Sequence, residues 1–202
     1  MKEKRTFNTI YKRDEESRTI TGLAAIYNSR ADLGWFEEEI APGAFDDAIS
    51  VSDVRALFNH DPNLLLARQG SGTLKLSVTE RGLEYEFDAP NTTVGNDLMV
   101  LMERGDVSQS SFAFTIAEGG QEWRKEERDG KNIDVRRITK IDRLYDVSPV
   151  TYPAYEDTTA AKRSYQEMVE GQEDETYHKA DEAARRSARL REIQLTNLKF
   201  EL

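Results

Sequence analysis

Three residue types in this chain could together carry out nucleophilic catalysis: a histidine, a serine and an aspartate. There are only two histidines, His60 and His178. His60 closes the stretch VRALFNH, where period-2 alternation would put Val54, Ala56, Phe58 and His60 on one strand face. Two readings of His60 are open. It is a satisfied histidine at a strand end, or it is a general base that apolar neighbours keep neutral near pH 7. His178 lies in a polar stretch.

The candidate nucleophiles crowd into VSQSSFAFTI. Read as a strand, that stretch puts Ser110, Phe112 and Phe114 on one face and Gln109, Ser111 and Ala113 on the other. The first face is bulky and suits a core. The second is lined by small residues and leaves room for an acyl group beside a base. The alternation therefore favours Ser111 over Ser110, while Ser108 precedes the strand and reads equally well as a turn serine. A strand serine with a purely structural role is the competing reading. The third residue, Asp146, sits in RLYDVSPVTYPAY, where a carboxylate among apolar neighbours needs a partner. That partner is either a histidine or an arginine such as Arg143. His60, Ser111 and Asp146 supply a base, a nucleophile and an orienting acid, but spacing alone does not bring them together.

Composition narrows the alternatives. The chain has 202 residues, enough for one domain with an extension. Hydrophobic residues make up 38%, and they cluster between residues 19 and 154, so a core is affordable there. The formal net charge of -10 argues against non-specific nucleic-acid binding, which rests on Lys and Arg. The absence of cysteine excludes disulfides, thiolate nucleophiles and Cys-ligated metals. The start, MKEKRTF, leads into no apolar segment of the kind a secretory signal needs. No run of about 18 apolar residues is present, so no membrane span is expected.

The elements that must position the three residues are mainly strands. RTFNTIYK and RTITGLAAIYN read as an N-terminal hairpin with DEES as its turn. GAFDDAIS opens a short helix after the Pro42–Gly43 turn. DVRALFNHDP is a strand closed by Asp61 and Pro62. TLKLSVTERGLEYEFDAP is the clearest hairpin, with TERG as its turn. Val94, Leu98, Leu101 and Met102 fall at helical spacing, and Gly105 is placed to end that helix. EGGQEWRKEERDGKN reads as a charged loop or hairpin arm with Gly130 near the tip, and DVRRITKIDRLYDVSPVTYPAY as one long strand. After Tyr155 the composition turns charged, and DEAARRSARLREIQLTNLKFEL reads as a terminal helix. The fold class expected is α+β, mainly β, with a domain over residues 1–157 and a charged, flexible or helical extension over 158–202.

With these blocks in order, the chain resembles the tailed-phage prohead maturation proteases, the HK-ninety-seven-like serine protease family. The resemblance runs through ITGLAAIYN, EEIAPGAF, VRALFNHDPNLLLAR, GTLKLSVTERGLEYEFDAPNT, LMERGDVSQSSFAF and LYDVSPVTYPAYEDT. It implies a β-barrel with surrounding helices, related to the herpesvirus assemblin proteases. It implies a serine endopeptidase without metal or organic cofactor, acting inside the procapsid in the host cytoplasm. The implied substrates and partners are the major capsid protein precursor with its scaffold segment, and further copies of the chain itself. The family's histidine falls on His60, its serine on Ser111 in SFAF (with Ala113 where the family often has Gly), and its acidic residue on Asp146. The related viral proteases use a second histidine as third member, but His178 lies outside the matched blocks. Arg136 or Arg137 is a candidate to assist the oxyanion. The charged tail suits targeting into a shell and later self-removal, or is a solvated helix that packs loosely or binds a partner. The alternative function for the chain is a non-catalytic capsid-assembly scaffold.

Overall fold

A computed structural model of the chain describes residues 2–7, 12–13, 18–152, 161–172 and 186. The chain divides into two compact units, Met1–Ala161 and Lys162–Leu202. In chain order the strands begin with β1 (Glu3–Phe7), β2 (Lys12–Arg13), β3 (Thr19–Ile26), β4 (Ala31–Asp32) and β5 (Glu37–Ile40). The short helix α1 (Asp46–Val51) precedes β6 (Arg55–Phe58), β7 (Asp61–Arg68), β8 (Leu74–Val78) and β9 (Gly82–Asp88). Helix α2 (Thr93–Arg104) leads into β10 (Gln109–Ile116), β11 (Gln121–Arg128), β12 (Lys131–Ile138) and β13 (Ile141–Val150).

Local patterning accounts for several of these elements. In the β8–β9 hairpin Leu74 faces Phe87, Leu76 faces Tyr85 and Val78 faces Leu83, so the alternating apolar residues share one face. Gly82 is required there, because a Cβ would fall 1.9 Å from the Ala25 carbonyl oxygen. Thr92 caps α2 by accepting the Gly95 N–H, and Gly105 closes it at φ 82°. Gly95, Leu98 and Met99 are its buried residues. The charged arm is a hairpin of β11 and β12 turning through Asp129 and Gly130, at φ 54° and 72°.

The strands assemble into three sheets, ordered β1-β10-β13-β6-β7, β11-β12-β5-β4 and β2-β3-β9-β8. One bridge, Tyr27 to Ile40, links the last two. The apolar core holds Phe112, Phe114, Leu144 and Val147 of the first sheet together with Ile20, Ala24, Tyr85 and Phe87 of the third. The mainly β reading holds, but no closed barrel forms among the described residues. Closure requires the outermost strands to pair, and β1 and β7 each have a single strand neighbour.

Two other expectations change. The N-terminal strand does not stay in a local hairpin: only β2 pairs with β3, while β1 pairs with β10 more than 100 residues along the chain. There Glu3 and Arg5 meet buried partners from β5 and β12. The long strand expected from residue 134 onward is two strands. It breaks at Thr139 and Lys140, whose N–H groups both go to the Gly120 carbonyl at 2.9 and 3.1 Å. In the second unit, residues 162–172 are helical. The terminal helix expected over 181–202 lies outside the described residues apart from Arg186, and His178 lies outside them too.

Candidate active site

The centre of the five-stranded sheet is the antiparallel pair β10 and β13. Their register sets Ser111 opposite Ser148 and Ala113 opposite Asp146. Opposed residues in such a pair project to the same face, so two adjacent strands bring Ser111 and Asp146 onto one surface. Residues between them project the other way. Phe112 packs against Phe7, Phe45 and Phe114 at ring-centroid distances of 6.2, 5.4 and 4.7 Å. Ser110 points to that side as well and donates its hydroxyl to Tyr85 Oη at 3.1 Å. Ser110 is thus committed to the core, as the alternation predicts. Phe45 of the Pro-Gly-Ala-Phe block is among the rings that support the serine strand from behind.

His60 arrives by a different route from the one its sequence suggests. β6 ends at Phe58, which pairs with Asp61, so Asn59 and His60 form a two-residue hairpin turn. Their φ angles are 55° and 59°, both left-handed. Two consecutive positive φ values are the signature of a type I′ turn, where Asn is favoured first and Gly second. A histidine in the second place costs about 1 kcal/mol or more of backbone strain, which surrounding structure must offset. The strand-face reading that grouped His60 with Val54, Ala56 and Phe58 is corrected, because the strand ends at Phe58, two residues before His60.

From that turn the imidazole reaches both other candidates. Its Nδ1 lies 2.5 Å from Asp146 Oδ1, and its Nε2 lies 2.7 Å from Ser111 Oγ. A carboxylate accepts only, so Nδ1 carries the proton and Nε2 is left to accept the serine hydroxyl. Asp146 also accepts from Ser148 Oγ at 2.9 Å and from Lys2 Nζ at 3.3 Å. Burial by itself would push the Asp146 carboxyl up. The bond and charge of His60 oppose it, joined by Lys2 and Ser148, and together hold the group below its ordinary value. The His60 side chain is 7% exposed, and Ser111 is wholly buried. The open space that the small-residue face suggests beside Ser111 is therefore closed to solvent.

The three residues singled out in the sequence therefore meet in one chain of hydrogen bonds. A model of the caudovirus prohead serine proteases matches residues 7–171. The chain belongs to that family. Membership supports a protease that acts in capsid maturation. A solved structure of the bacteriophage T4 capsid assembly protease, gp21, is similar at TM-score 0.43 and 10% identity, over 75% of this chain and 99% of that one. No curated protein sequence matches the chain.

Other candidates fare differently in this member of the prohead protease family. Arg136 is buried and bonds Glu3, Glu38 and Gln121, while Arg137 bonds Glu39 at 2.5 Å. Both belong to β12, and the bonds they make there are to these carboxylates and Gln121. Arg143 lies over the Tyr145 ring, 4.9 Å from its centroid. Reading the sequence did not identify Ser148, Lys2 or Asn59. Ser148 was legible: two residues past Asp146 in a strand, it must share that residue's face. Lys2 gave no signal, because nothing local says that β1 joins this sheet.

Proposed function

We propose that this chain is a serine endopeptidase that cuts scaffold and capsid-precursor segments, and itself, inside the assembling procapsid in the host cytoplasm. Ser111 is the nucleophile, His60 the general base and Asp146 the residue that orients the imidazole. One observation carries the assignment: the His60 ring spans Asp146 Oδ1 and Ser111 Oγ with bonds of 2.5 and 2.7 Å. Family membership supports the same chemistry.

In the reaction Nε2 takes the hydroxyl proton as Oγ attacks the scissile carbonyl carbon. The imidazolium that forms is stabilised by the Asp146 carboxylate, which the Ser148 and Lys2 contacts help keep ionised. Nε2 then returns the proton to the leaving amine, and an acyl-enzyme on Ser111 remains. Water attacks that ester with the same nitrogen as base, which frees the new C-terminus and the serine. Ser111 is wholly buried, so a scissile carbonyl reaches it only after the surface above it opens.

The test is co-expression with the matching capsid precursor, followed by mass spectrometric mapping of new N-termini. The wild-type chain generates them, and Ser111→Ala or His60→Ala does not. Full cleavage by Ser111→Ala, with Ser110→Ala inactive, overturns the serine assignment. Intact precursor with every variant, wild type included, favours a non-catalytic scaffold.

A further inference from the structure

The imidazole of His60 is held from its ring side by Asp146 and Ser111, but its backbone sits in a conformation that no glycine relieves. The turn residue before it has contacts of its own. Asn59 donates its N–H to the Pro149 carbonyl at 3.0 Å. Its side-chain Oδ1 accepts from the Thr151 N–H at 2.9 Å and from the Thr151 hydroxyl at 3.3 Å. The three contacts fall on Pro149, near the end of β13, and on Thr151 just past it; β13 carries Asp146 and Ser148 three and one residues before Pro149. The two turn residues are thus fastened to one strand at two points.

From this arrangement we infer that Asn59 is a positioning residue for His60, acting as a side-chain latch that sets the imidazole's distance to Asp146 and Ser111. The inference rests on the peptidase reading above for its effect on catalysis, although the latch itself is geometric. Asparagine is suited to both parts of the task. It tolerates positive φ better than other non-glycine residues, and its carbonyl oxygen can accept two bonds at once. Without the latch the β6–β7 turn keeps its backbone pairing, but it is free to rock relative to β13. A ring displaced by a fraction of an ångström loses alignment with the hydroxyl, and rate is sensitive to shifts of that size. The latch contacts no reacting atom. Its influence passes wholly through the position of His60.

The substitutions that separate this role from general stability are Asn59→Gly and Asn59→Asp, made in the full chain. Glycine keeps the positive φ and removes the acceptor. Aspartate keeps both. Two readouts are taken: the rate at which a fluorophosphonate probe labels Ser111, and the far-downfield proton resonance of His60 Nδ1, with His178→Ala as the background for assignment. Asn59→Gly should slow labelling on the order of tenfold or more and weaken or broaden the resonance. Asn59→Asp should keep the resonance and label within a few-fold of wild type. Thr151→Pro, which removes both donors from the other side, should reproduce the glycine result and carries the test if Asn59→Gly does not fold. Wild-type labelling with an unchanged resonance in Asn59→Gly or Thr151→Pro overturns the latch. A resonance that responds as expected in a wild-type chain that the probe never labels leaves the latch standing and counts against the peptidase reading instead.

Discussion

Two clusters of buried polar groups flank strand β1, and they differ in how fully they are satisfied. On one face Glu3 and Arg5 join Glu38 and Arg136, two carboxylates against two guanidiniums. Arg136 bonds Glu3 and Glu38 at 3.0 Å, and Arg5 bonds Glu3 at 2.5 Å and Glu38 at 2.8 Å. Gln121 takes the remaining Arg136 donors at 2.8 and 2.5 Å. Every charge there has an opposite partner. On the other side Lys2, just before β1, reaches Asp146, where the bonds run in series from carboxylate to imidazole to hydroxyl. That series ends on Ser111, whose proton has somewhere to go. The saturated cluster joins β1 to β5 and β12 and holds a register. In the proposed reaction the serial cluster moves a proton. Buried polarity alone does not distinguish the two, but the direction of the hydrogen bonds does.

Four experiments test that contrast. The largest effect expected is on chemistry: Ser111→Ala should lower precursor cleavage by about 10³-fold or more while the urea midpoint barely moves. If stability falls in parallel with activity, the serial cluster is structural like its neighbour. Next comes Arg136→Met, which leaves Glu3 and Glu38 short of a partner in a dry site. Removing one member of a buried ion pair costs about 3–5 kcal/mol, read from urea unfolding, and cleavage should be lost only as the fold is lost.

The third concerns acid. Glu3 is buried, which raises its value, but the charges and bonds of Arg5 and Arg136 outweigh that and hold it below the ordinary range. Asp146 is lowered in the same sense. A carboxyl depressed in the folded state adds stability that is full above its unfolded value of about 4 and is lost as pH falls through the lower folded value. Unfolding free energy should therefore hold steady above about pH 5 and drop below about pH 4. Glu3→Gln and Asp146→Asn should each flatten part of that drop, and only Asp146→Asn should abolish cleavage at neutral pH. The smallest effect is Ser148→Ala. Losing one hydrogen bond to a charged group should cost about 1.5–3 kcal/mol of stability and slow cleavage several-fold, with the acid limb of the rate moved to higher pH.

The parts of this protein that could be read in advance were those encoded locally. The β8–β9 hairpin and helix α2 with its Gly105 cap each follow from periodicity and turn chemistry within about 25 residues of chain. The charged segment around Gly130 reads as a loop or as a hairpin arm, and the pairing of β11 with β12 decides it. The parts that could not be read depend on which distant strand wins a pairing. Nothing near Glu3 or Arg5 announces that their partners are Glu38 and Arg136, so the pull of β1 away from a local hairpin was invisible. The same holds for the break at Thr139 and Lys140, which answers to the carbonyl of Gly120.

The two faces of the serine strand follow from residue order alone, because a period of two leaves no choice about which side Ser110 and Ser111 take. So do the order of blocks by which the chain resembles its family and the scarcity of histidines that leaves His60 as the candidate base. That His60 stands on a left-handed turn rather than in a strand is set by long-range contacts. So are the fastening of that turn near β13 by Asn59 and the bridging by one imidazole of residues 51 and 86 positions away along the chain. Side-chain direction within a strand follows from local backbone geometry, whereas the meeting of three side chains on different strands depends on sheet register, set by packing and pairing across the whole domain.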